Sequence, residues 1–359
     1  MKNNLINQSL KFPCGKSMKN RFMLAPMTNQ QSHEDGTLSD DEFHWLTMRA
    51  KGDFGMVMTC ASHVSENGKG FPGQLGIFDD KHIAGHTKLA NALKEHDSIA
   101  IVQLHHAGMR SPHELISGAP ICPSNNEKFK AREMSLKEVH QLKEDFVNAA
   151  LRAKKCGYDG VQIHGAHGYI ITQFLSAEIN HRTDEYGGSL ENRSRLLFEI
   201  IRETRNLCGP DFLIGVRLSP ERFGMDLLET KEICQRLIDD QEIDFIDVSL
   251  WDVFKNPEEE KYQEKALLAH FTEIDYKNIP ITVAGKIMTA NDVHRVMDAG
   301  VDFVSIGRAG ILHHDFPKKV ITEPNFSSQQ TPVSAEYLKN EGLSDTFVNY
   351  MRRWPNFVE

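Results

Sequence analysis

Short apolar runs alternate with longer segments of helical periodicity along most of this 359-residue chain. Such alternation is typical of βαβ units, in which each strand of a parallel sheet is followed by a helix. Eight runs have the length and composition of buried strands: RFMLAPM, FGMVMTCA, SIAIVQLH, DGVQIHG, FLIGVRLS, DFIDVSL, PITVAGKI and DFVSIGR. Eight strand–helix units predict an α/β protein with the (β/α)8, or TIM barrel, fold.

Five segments between these strands carry helix signals. The clearest, SLKEVHQLKEDFVNAALRAKKCG, begins with Ser135 as a candidate N-cap, has Glu138 three residues later and ends at Gly157. This pattern is typical of a capped helix. The other four predicted helices are SDDEFHWLTMRAKG, SLENRSRLLFEIIRETRNLCG, LETKEICQRLIDD and TANDVHRVMDAG.

A doubly wound sheet is the alternative architecture for such a chain. Its first strand would be followed by a G-x-G-x-x-G turn, whereas the first strand here ends in APMTNQQ. No flexible linker or shift in composition divides the eight units. We therefore predict a single barrel domain over residues 1–324 and a C-terminal extension over residues 325–359, which we expect at a subunit interface.

Composition excludes several classes of function. The chain has 41 Lys and Arg against 50 Asp and Glu, a formal charge of −9, and both signs are mixed along it, which argues against a nucleic-acid or membrane-surface partner. The six cysteines are scattered without a C-x-x-C pair, and neither a signal peptide nor an apolar run of about 20 residues is evident. We expect a cytoplasmic protein that acts on small molecules.

The segment HGAHGY places His164, His167 and Tyr169 directly after the fourth predicted strand. Two histidines at this spacing could bind zinc, but a zinc site needs three or four protein ligands and a hard-metal site needs clustered carboxylates. The predicted strand ends carry almost no acidic residue besides Asp252. The sequence therefore predicts no metal site.

The last two strand ends predict a phosphorylated ligand instead. Gly285, Gly307 and Arg308 place backbone N–H groups and a cation in the loops after strands seven and eight, where barrel enzymes commonly bind phosphate. Arg217, at the end of strand five, would be a buried cation that needs an anionic partner. A reduced flavin would be such a partner, and the amide of Gln103 suits the pyrimidine edge of a flavin.

Several motifs resemble the old yellow enzyme family of FMN-dependent NAD(P)H oxidoreductases and ene-reductases. The segment HGAHGYIITQFLSAEINHRTDEYGGSLENRSR is similar to the most characteristic segment of that family, and NRFMLAPMT, VQLHHAG, GVRLS and SIGRAG are similar to others in the same order. The resemblance extends over about residues 5–320. It implies FMN as cofactor, NADH or NADPH as co-substrate, and an α,β-unsaturated carbonyl compound as substrate.

The resemblance also implies roles for individual residues. Tyr169 would donate a proton to the substrate, and His164 and His167 would bind the substrate carbonyl. Arg217 would face the flavin N1 and O2 atoms, while Gly285, Gly307 and Arg308 would hold the phosphate. The residues implied to line the flavin ring are Ala25, Pro26, Met27, Thr28, Ala61 and Gln103.

Two positions differ from one bacterial branch of the family, and the role of the C-terminal tail is an open question. Thr28 stands where one bacterial branch has a cysteine that tunes the flavin potential, and Gln30 stands where that branch has a tyrosine in the substrate pocket. That branch also inserts a C-terminal arginine into a neighbouring active site, so Arg352 or Arg353 is a candidate for that role. The resemblance leads us to expect a homo-oligomer.

Other classes of function remain possible from the sequence. A Schiff-base lyase of the aldolase type would use Lys286, at the end of strand seven, as its nucleophile. A flavin-binding barrel without catalytic activity is a third possibility. The physiological substrate and the choice between NADH and NADPH are not evident from the residues.

Overall fold

The computed structural model describes residues 2–359, and its centre is a closed barrel of eight parallel strands. The barrel strands are β1 (Phe22–Leu24), β2 (Met56–His63), β3 (Ile99–His105), β4 (Gly160–Gly165), β5 (Leu213–Leu218), β6 (Phe245–Ser249), β7 (Ile281–Ala284) and β8 (Phe303–Ile306). Each strand pairs with the next one along the chain, and β8 pairs with β1. The predicted (β/α)8 fold and all eight predicted strands are confirmed.

Six longer helices cover the outside of the barrel, and shorter ones lie at its ends. They are α1 (Asp40–Lys51), α2 (Ile83–Lys94), α3 (Leu136–Lys155), α4 (Ile170–Leu175), α5 (Leu190–Cys208), α6 (Leu227–Asp240), α7 (Ala269–Thr272), α8 (Ala290–Asp298), α9 (Arg308–Leu312), α10 (Phe316–Thr322), α11 (Ala335–Asn340) and α12 (Asp345–Met351). All five predicted helices are present. Ser135 and Glu138 form the predicted capping box of α3.

The sequence analysis missed α2, because Gly85 and His86 interrupt its apolar periodicity near the N-terminus. Glycine also has a low helix propensity. The helix is stabilised by tertiary contacts, since Leu89, Ala90 and Leu93 are fully buried against the barrel. Tertiary packing thus overrides a weak local signal.

A short antiparallel hairpin, Leu10–Lys11 with Ser17–Met18, precedes the barrel. Phe12 in this hairpin is buried at the end where the strands begin, and its ring centroid lies 6.0 Å from that of Phe245 and 5.8 Å from that of Phe303. These three rings join Met18 of the hairpin and apolar residues from four other barrel strands in one buried cluster. This end of the barrel is therefore filled and dry. A second short pair, Ile121–Cys122 with Arg132–Glu133, lies in the loop after β3.

The chain after residue 325 folds back onto the barrel. The ring of Phe347 in α12 packs edge-on against Trp45 of α1 at 5.3 Å, and the Tyr337 hydroxyl donates to the carbonyl of Leu312 at 2.8 Å. These contacts bring the C-terminal end of α12 to the open end of the barrel. Within residues 2–359, no helix combines the length and the hydropathy needed to span a bilayer.

Candidate active site

A cavity of about 540 Å³ opens at the end of the barrel where the strands stop. Every residue that the sequence analysis assigned to a site lines this one cavity. These residues are Ala25, Pro26, Met27, Thr28, Ala61, Gln103, His164, His167, Tyr169, Arg217, Gly285, Gly307 and Arg308. Gln30, which stands where one bacterial branch has a tyrosine in the substrate pocket, is not among the lining residues.

His164 and His167 form a pair of neutral rings in the cavity wall. Nδ1 of His167 lies 3.2 Å from Nε2 of His164. Burial, and then the positive charge of Arg217, lowers the pKa of His167 well below its usual range; burial, followed by His167, does the same to the pKa of His164. Neutral imidazoles each carry one N–H, so the pair can offer hydrogen bonds to an oxygen without carrying charge.

The backbone at His167 has a left-handed conformation, with φ of 61°. Its N–H donates to Oγ of Ser219 at 2.9 Å, and the following Gly168 also has positive φ. This tight turn leads from β4 into α4 and places Tyr169 next to the histidines. Non-glycine residues rarely adopt such a conformation, and those that do often belong to functional sites.

Tyr169 lies between the histidines and a cation. Its ring centroid is 5.1 Å from that of His164, and the guanidinium carbon of Arg110 lies 4.9 Å from the ring centroid of Tyr169. Burial raises the pKa of Tyr169, while the charge of Arg110 acts in the opposite direction. The phenol is therefore protonated at neutral pH and can act as a proton donor.

Arg217 has the anionic partner that a buried cation needs, and the protein itself supplies it as the carboxylate of Asp247. Asp247 is fully buried in the middle of β6, in register with Arg217 on β5, and its Oδ2 lies 3.3 Å from Nε of Arg217. Burial raises the pKa of Asp247, and Arg217 opposes that rise. Sequence reasoning missed this ion pair because Asp247 is inside a strand rather than at its end.

A chain of hydrogen bonds continues from this ion pair across the barrel. Nε2 of Gln162 donates to Oδ2 of Asp247 at 3.1 Å, and Nε2 of Gln103 donates to Oε1 of Gln162 at 2.7 Å. Oε1 of Gln103 has no hydrogen-bond partner in the part of the chain that the structure describes. It is an acceptor left for a ligand at the cavity wall.

The two glycines assigned to the phosphate differ in what their surroundings require. A Cβ at Gly285 would lie 2.7 Å from the backbone N of Asp252 and from the carbonyl carbon of Trp251, so loop packing alone requires glycine there. A Cβ at Gly307 would have the sulfur of Met27 as its nearest neighbour at 3.7 Å, a normal contact distance. Packing therefore does not require glycine at position 307, and a side chain there would take up space in the cavity.

The remaining polar groups fit FMN as a ligand. The buried hydroxyl of Ser305, on β8, has no hydrogen-bond partner among the described residues, and it lines the cavity beside Gly307 and Arg308. An unpaired hydroxyl, the free Oε1 of Gln103 and two cations, Arg217 and Arg308, match a ligand with hydrogen-bonding ring edges and a phosphate.

Sequence reasoning missed several residues that line the cavity. Ser249 is the last residue of β6. Its position at a strand end is the signal that could have identified it. Arg110 follows β3 within the loop, where a basic residue gives no distinctive signal. The other missed residues with aromatic or charged side chains are Arg222, Phe223, Trp251, Tyr350 and Trp354.

The C-terminal tail contributes to the cavity of its own chain. Tyr350, Met351 and Trp354 line it, whereas Arg352 and Arg353 are exposed and do not. Entry of one of these arginines into a neighbouring subunit stays a prediction.

Across residues 2–359, no group of three or more His, Cys, Asp or Glu residues is arranged to hold a metal ion. The nucleophile proposed for a lyase, Lys286, is half-exposed and lies 2.8 Å from Oδ2 of Asp252. It is therefore not in the dry, apolar setting that activates a Schiff-base lysine.

Comparison with known proteins agrees with this chemistry. The model of the NADH:flavin oxidoreductase / NADH oxidase family matches residues 10–325. The chain is 36% identical over 320 residues to the probable NADH-dependent flavin oxidoreductase YqiG of Bacillus subtilis, covering 86% of each chain. It is 30% identical over 328 residues to the NADH:acrylate oxidoreductase of Vibrio harveyi, covering 87% of this chain but only 32% of that longer protein.

A solved structure extends the similarity to the whole fold. The old yellow enzyme homologue from Zymomonas mobilis superposes with a TM-score of 0.79 at 25% identity, covering 95% of this chain and 99% of that one.

Proposed function

The chain belongs to the old yellow enzyme family of FMN-dependent NAD(P)H oxidoreductases, and we propose that it reduces the C=C bond of α,β-unsaturated carbonyl compounds. FMN, when bound, would supply the two-electron chemistry that links oxidation of NADH or NADPH to reduction of the alkene. Overall, the alkene gains a hydride equivalent at its β-carbon and a proton at its α-carbon, while NAD(P)H becomes NAD(P)⁺.

The observation that carries this proposal is the placement of two neutral histidines beside a protonated tyrosine in one cavity. Negative charge builds on the carbonyl oxygen as the alkene is reduced, and N–H donors of His164 and His167 would stabilise it. Tyr169 would then protonate the α-carbon. Together these three residues supply both the binding and the proton that the reaction needs.

For the cofactor, we infer that Gln103 and Arg217 bind the flavin ring and that Gly307 and Arg308 bind the phosphate. The free acceptor on Gln103 and the unpaired hydroxyl of Ser305 support this assignment. The backbone of Ala25, Pro26 and Met27, the side chain of Thr28, and Ala61 would line the ring from β1 and β2. Gly285 would shape the phosphate loop.

Arg110 favours one class of substrate within this chemistry, alkenes that carry a carboxylate. The cavity is lined by cations and by no acidic residue. Arg217, Arg222 and Lys286 each have a carboxylate within 3.4 Å, but Arg110 has none among the described residues. Its Nη1 is anchored by the carbonyl of His167, which leaves its other N–H groups beside Tyr169. Such a guanidinium suits a carboxylate near the α-carbon, and the related Vibrio harveyi enzyme bears the name acrylate oxidoreductase.

Anaerobic spectroscopy of the purified protein tests the proposal. We expect a yellow protein whose flavin absorbance is bleached by NADH or NADPH and restored by a neutral enone such as 2-cyclohexenone. Bleaching without recovery on addition of any enone or unsaturated acid would overturn the ene-reductase assignment. A colourless protein in which borohydride traps a carbonyl substrate covalently on Lys286 would favour the lyase.

A further inference from the structure

The hydroxyl of Ser249 lies between a side chain that can only donate hydrogen bonds and a histidine that can do either. Its Oγ is 3.3 Å from Nη2 of Arg217 and 2.7 Å from Nε2 of His167. A guanidinium has no acceptor atom, so Oγ must accept from Arg217. The single hydrogen of the hydroxyl is then free to be donated to Nε2 of His167.

Donation from Ser249 to Nε2 would fix which nitrogen of His167 carries its proton. The ring is neutral, because burial and the charges of Arg217 and Arg110 lower the pKa of His167 well below its usual range. A neutral imidazole that accepts at Nε2 carries its hydrogen on Nδ1. Nδ1 is the atom that lies 3.2 Å from Nε2 of His164, on the side of the ring that faces the other histidine.

The opposite tautomer would be unsuitable for the proposed reaction. It would present the lone pair of Nδ1 to the carbonyl oxygen, and two acceptors repel each other. The hydroxyl of Ser249 contacts Nε2 of His167, whereas Nδ1 of the same ring faces His164, so we assign Ser249 an effect that passes through His167.

We propose that Ser249 is a positioning residue. Its hydroxyl accepts a hydrogen bond from Arg217 and donates one to Nε2 of His167, which holds the proton of that ring on Nδ1. The proposal deepens the proposed function, since it explains how one member of the histidine pair is kept as a donor. The ion pair of Arg217 with Asp247 supports this arrangement, because it holds the guanidinium next to the hydroxyl of Ser249.

Nitrogen-15 NMR of histidine-labelled, FMN-loaded protein tests the proposal directly, since protonated and unprotonated ring nitrogens have well-separated shifts. The signals of His167 are assigned by their loss in His167→Ala. We expect Nδ1 to be protonated in the wild type and in Ser249→Thr, which keeps the hydroxyl. In Ser249→Ala we expect a mixture of the two tautomers.

Ligand binding gives a second measurement that needs no turnover. Titration with 4-hydroxybenzaldehyde, whose oxygen would accept from the histidine pair, is expected to show about fivefold to tenfold weaker binding in Ser249→Ala, the range of one lost hydrogen bond. Ser249→Thr should restore most of the affinity. Ser219→Ala is the matched control, because Ser219 contacts the backbone of His167 and not its ring.

A proton on Nε2 of His167 in the wild type would overturn the proposal, whatever the variants do. So would Ser249→Ala with an unchanged tautomer and unchanged affinity. Failure of the proposed function is a separate result: it would appear as absence of enone reduction in every variant, while the tautomer in the wild type still matched the prediction.

Discussion

At the end of the barrel where the strands begin, Phe12, Phe245 and Phe303 pack together with ring centroids 5.7 to 6.0 Å apart. At the end where the strands stop, β4, β5 and β6 carry His164, Arg217 and Ser249 into an open cavity. The end where the strands begin buries mainly apolar area. The other end holds charges and neutral histidines that burial makes costly.

Stability and chemistry are therefore separated along the strands of this barrel. Residues at the start of the strands pack together, and residues at their ends line the cavity, as expected for the fold. A substitution at the packed end should therefore change the free energy of unfolding, and one at the open end should change a rate or an affinity. Substitutions at both ends and a pH series would test that separation of roles.

Phe12→Ala should have the largest effect. Removing a fully buried ring typically costs about 3–5 kcal/mol of stability, because the cavity that it leaves cannot collapse between Phe245 and Phe303. Chemical denaturation measures the loss, and rates of flavin reduction and enone reduction should stay near wild type below the unfolding transition. Phe129→Ala, in a half-buried loop position, is the milder control. A large change in turnover by folded Phe12→Ala would show that the two ends are coupled.

Tyr169→Phe should slow enone reduction by roughly 100-fold, the lower range for loss of a general acid. Reduction of the flavin by NADH or NADPH should stay near normal, because that half-reaction needs no proton from Tyr169. Stopped-flow measurement of the two half-reactions separates these effects. Tyr262→Phe, which removes a hydroxyl outside the cavity, is the control. If enone reduction by Tyr169→Phe is unchanged, another group donates the proton.

Arg110→Gln should lower kcat/KM for an unsaturated carboxylate about tenfold, as expected for loss of a hydrogen bond to a charged group. The rate with a neutral enone should change much less. Steady-state kinetics with an acid and its neutral amide tests this, with the exposed Arg202→Gln as control. An equal loss for both substrates would mean that Arg110 acts on Tyr169 and does not bind a carboxylate.

Acidification should lower the free energy of unfolding. The contribution of each buried histidine should be the smallest of the effects predicted here. Burial lowers the pKa of His63 and His86 to about 4 and that of His106 to about 3. The unfolded chain therefore binds more protons than the folded one, and stability falls as pH drops below about 6.5, the usual pKa of histidine. The loss continues until the folded histidines themselves titrate near pH 3–4.

Each of these histidines should contribute roughly 1 kcal/mol of this loss between pH 7.5 and pH 5.5. Denaturation of the protein at several pH values measures the slope. His86→Gln should flatten it, and the exposed His113→Gln should not. Stability that is constant between pH 7.5 and pH 5.5 would show that these histidines are not buried in their neutral form.

Much of the fold was predictable, because its signals are local in the sequence. The eight apolar runs, the capping box at Ser135 and the glycine stop at Gly157 act within a few residues of where they are found. The helix α2 was not predictable in this way, because its stability comes from burial of Leu89 and Leu93 against strands of the barrel. The cavity residues in motifs at strand ends were predictable, whereas Arg110, in a loop, and Tyr350, in the tail, were not.

The barrel and many of the residues around its open end could be read from the sequence alone, because the strand periodicity places each strand end at the same edge. The partners of these residues depend on the tertiary structure. Asp247 meets Arg217 because β5 and β6 align in register, Ser249 bridges Arg217 to His167 because three strands converge, and Tyr350 lines the cavity because the tail folds back. Such contacts join residues 30 or more positions apart, and no local pattern encodes the register and closure that bring them together.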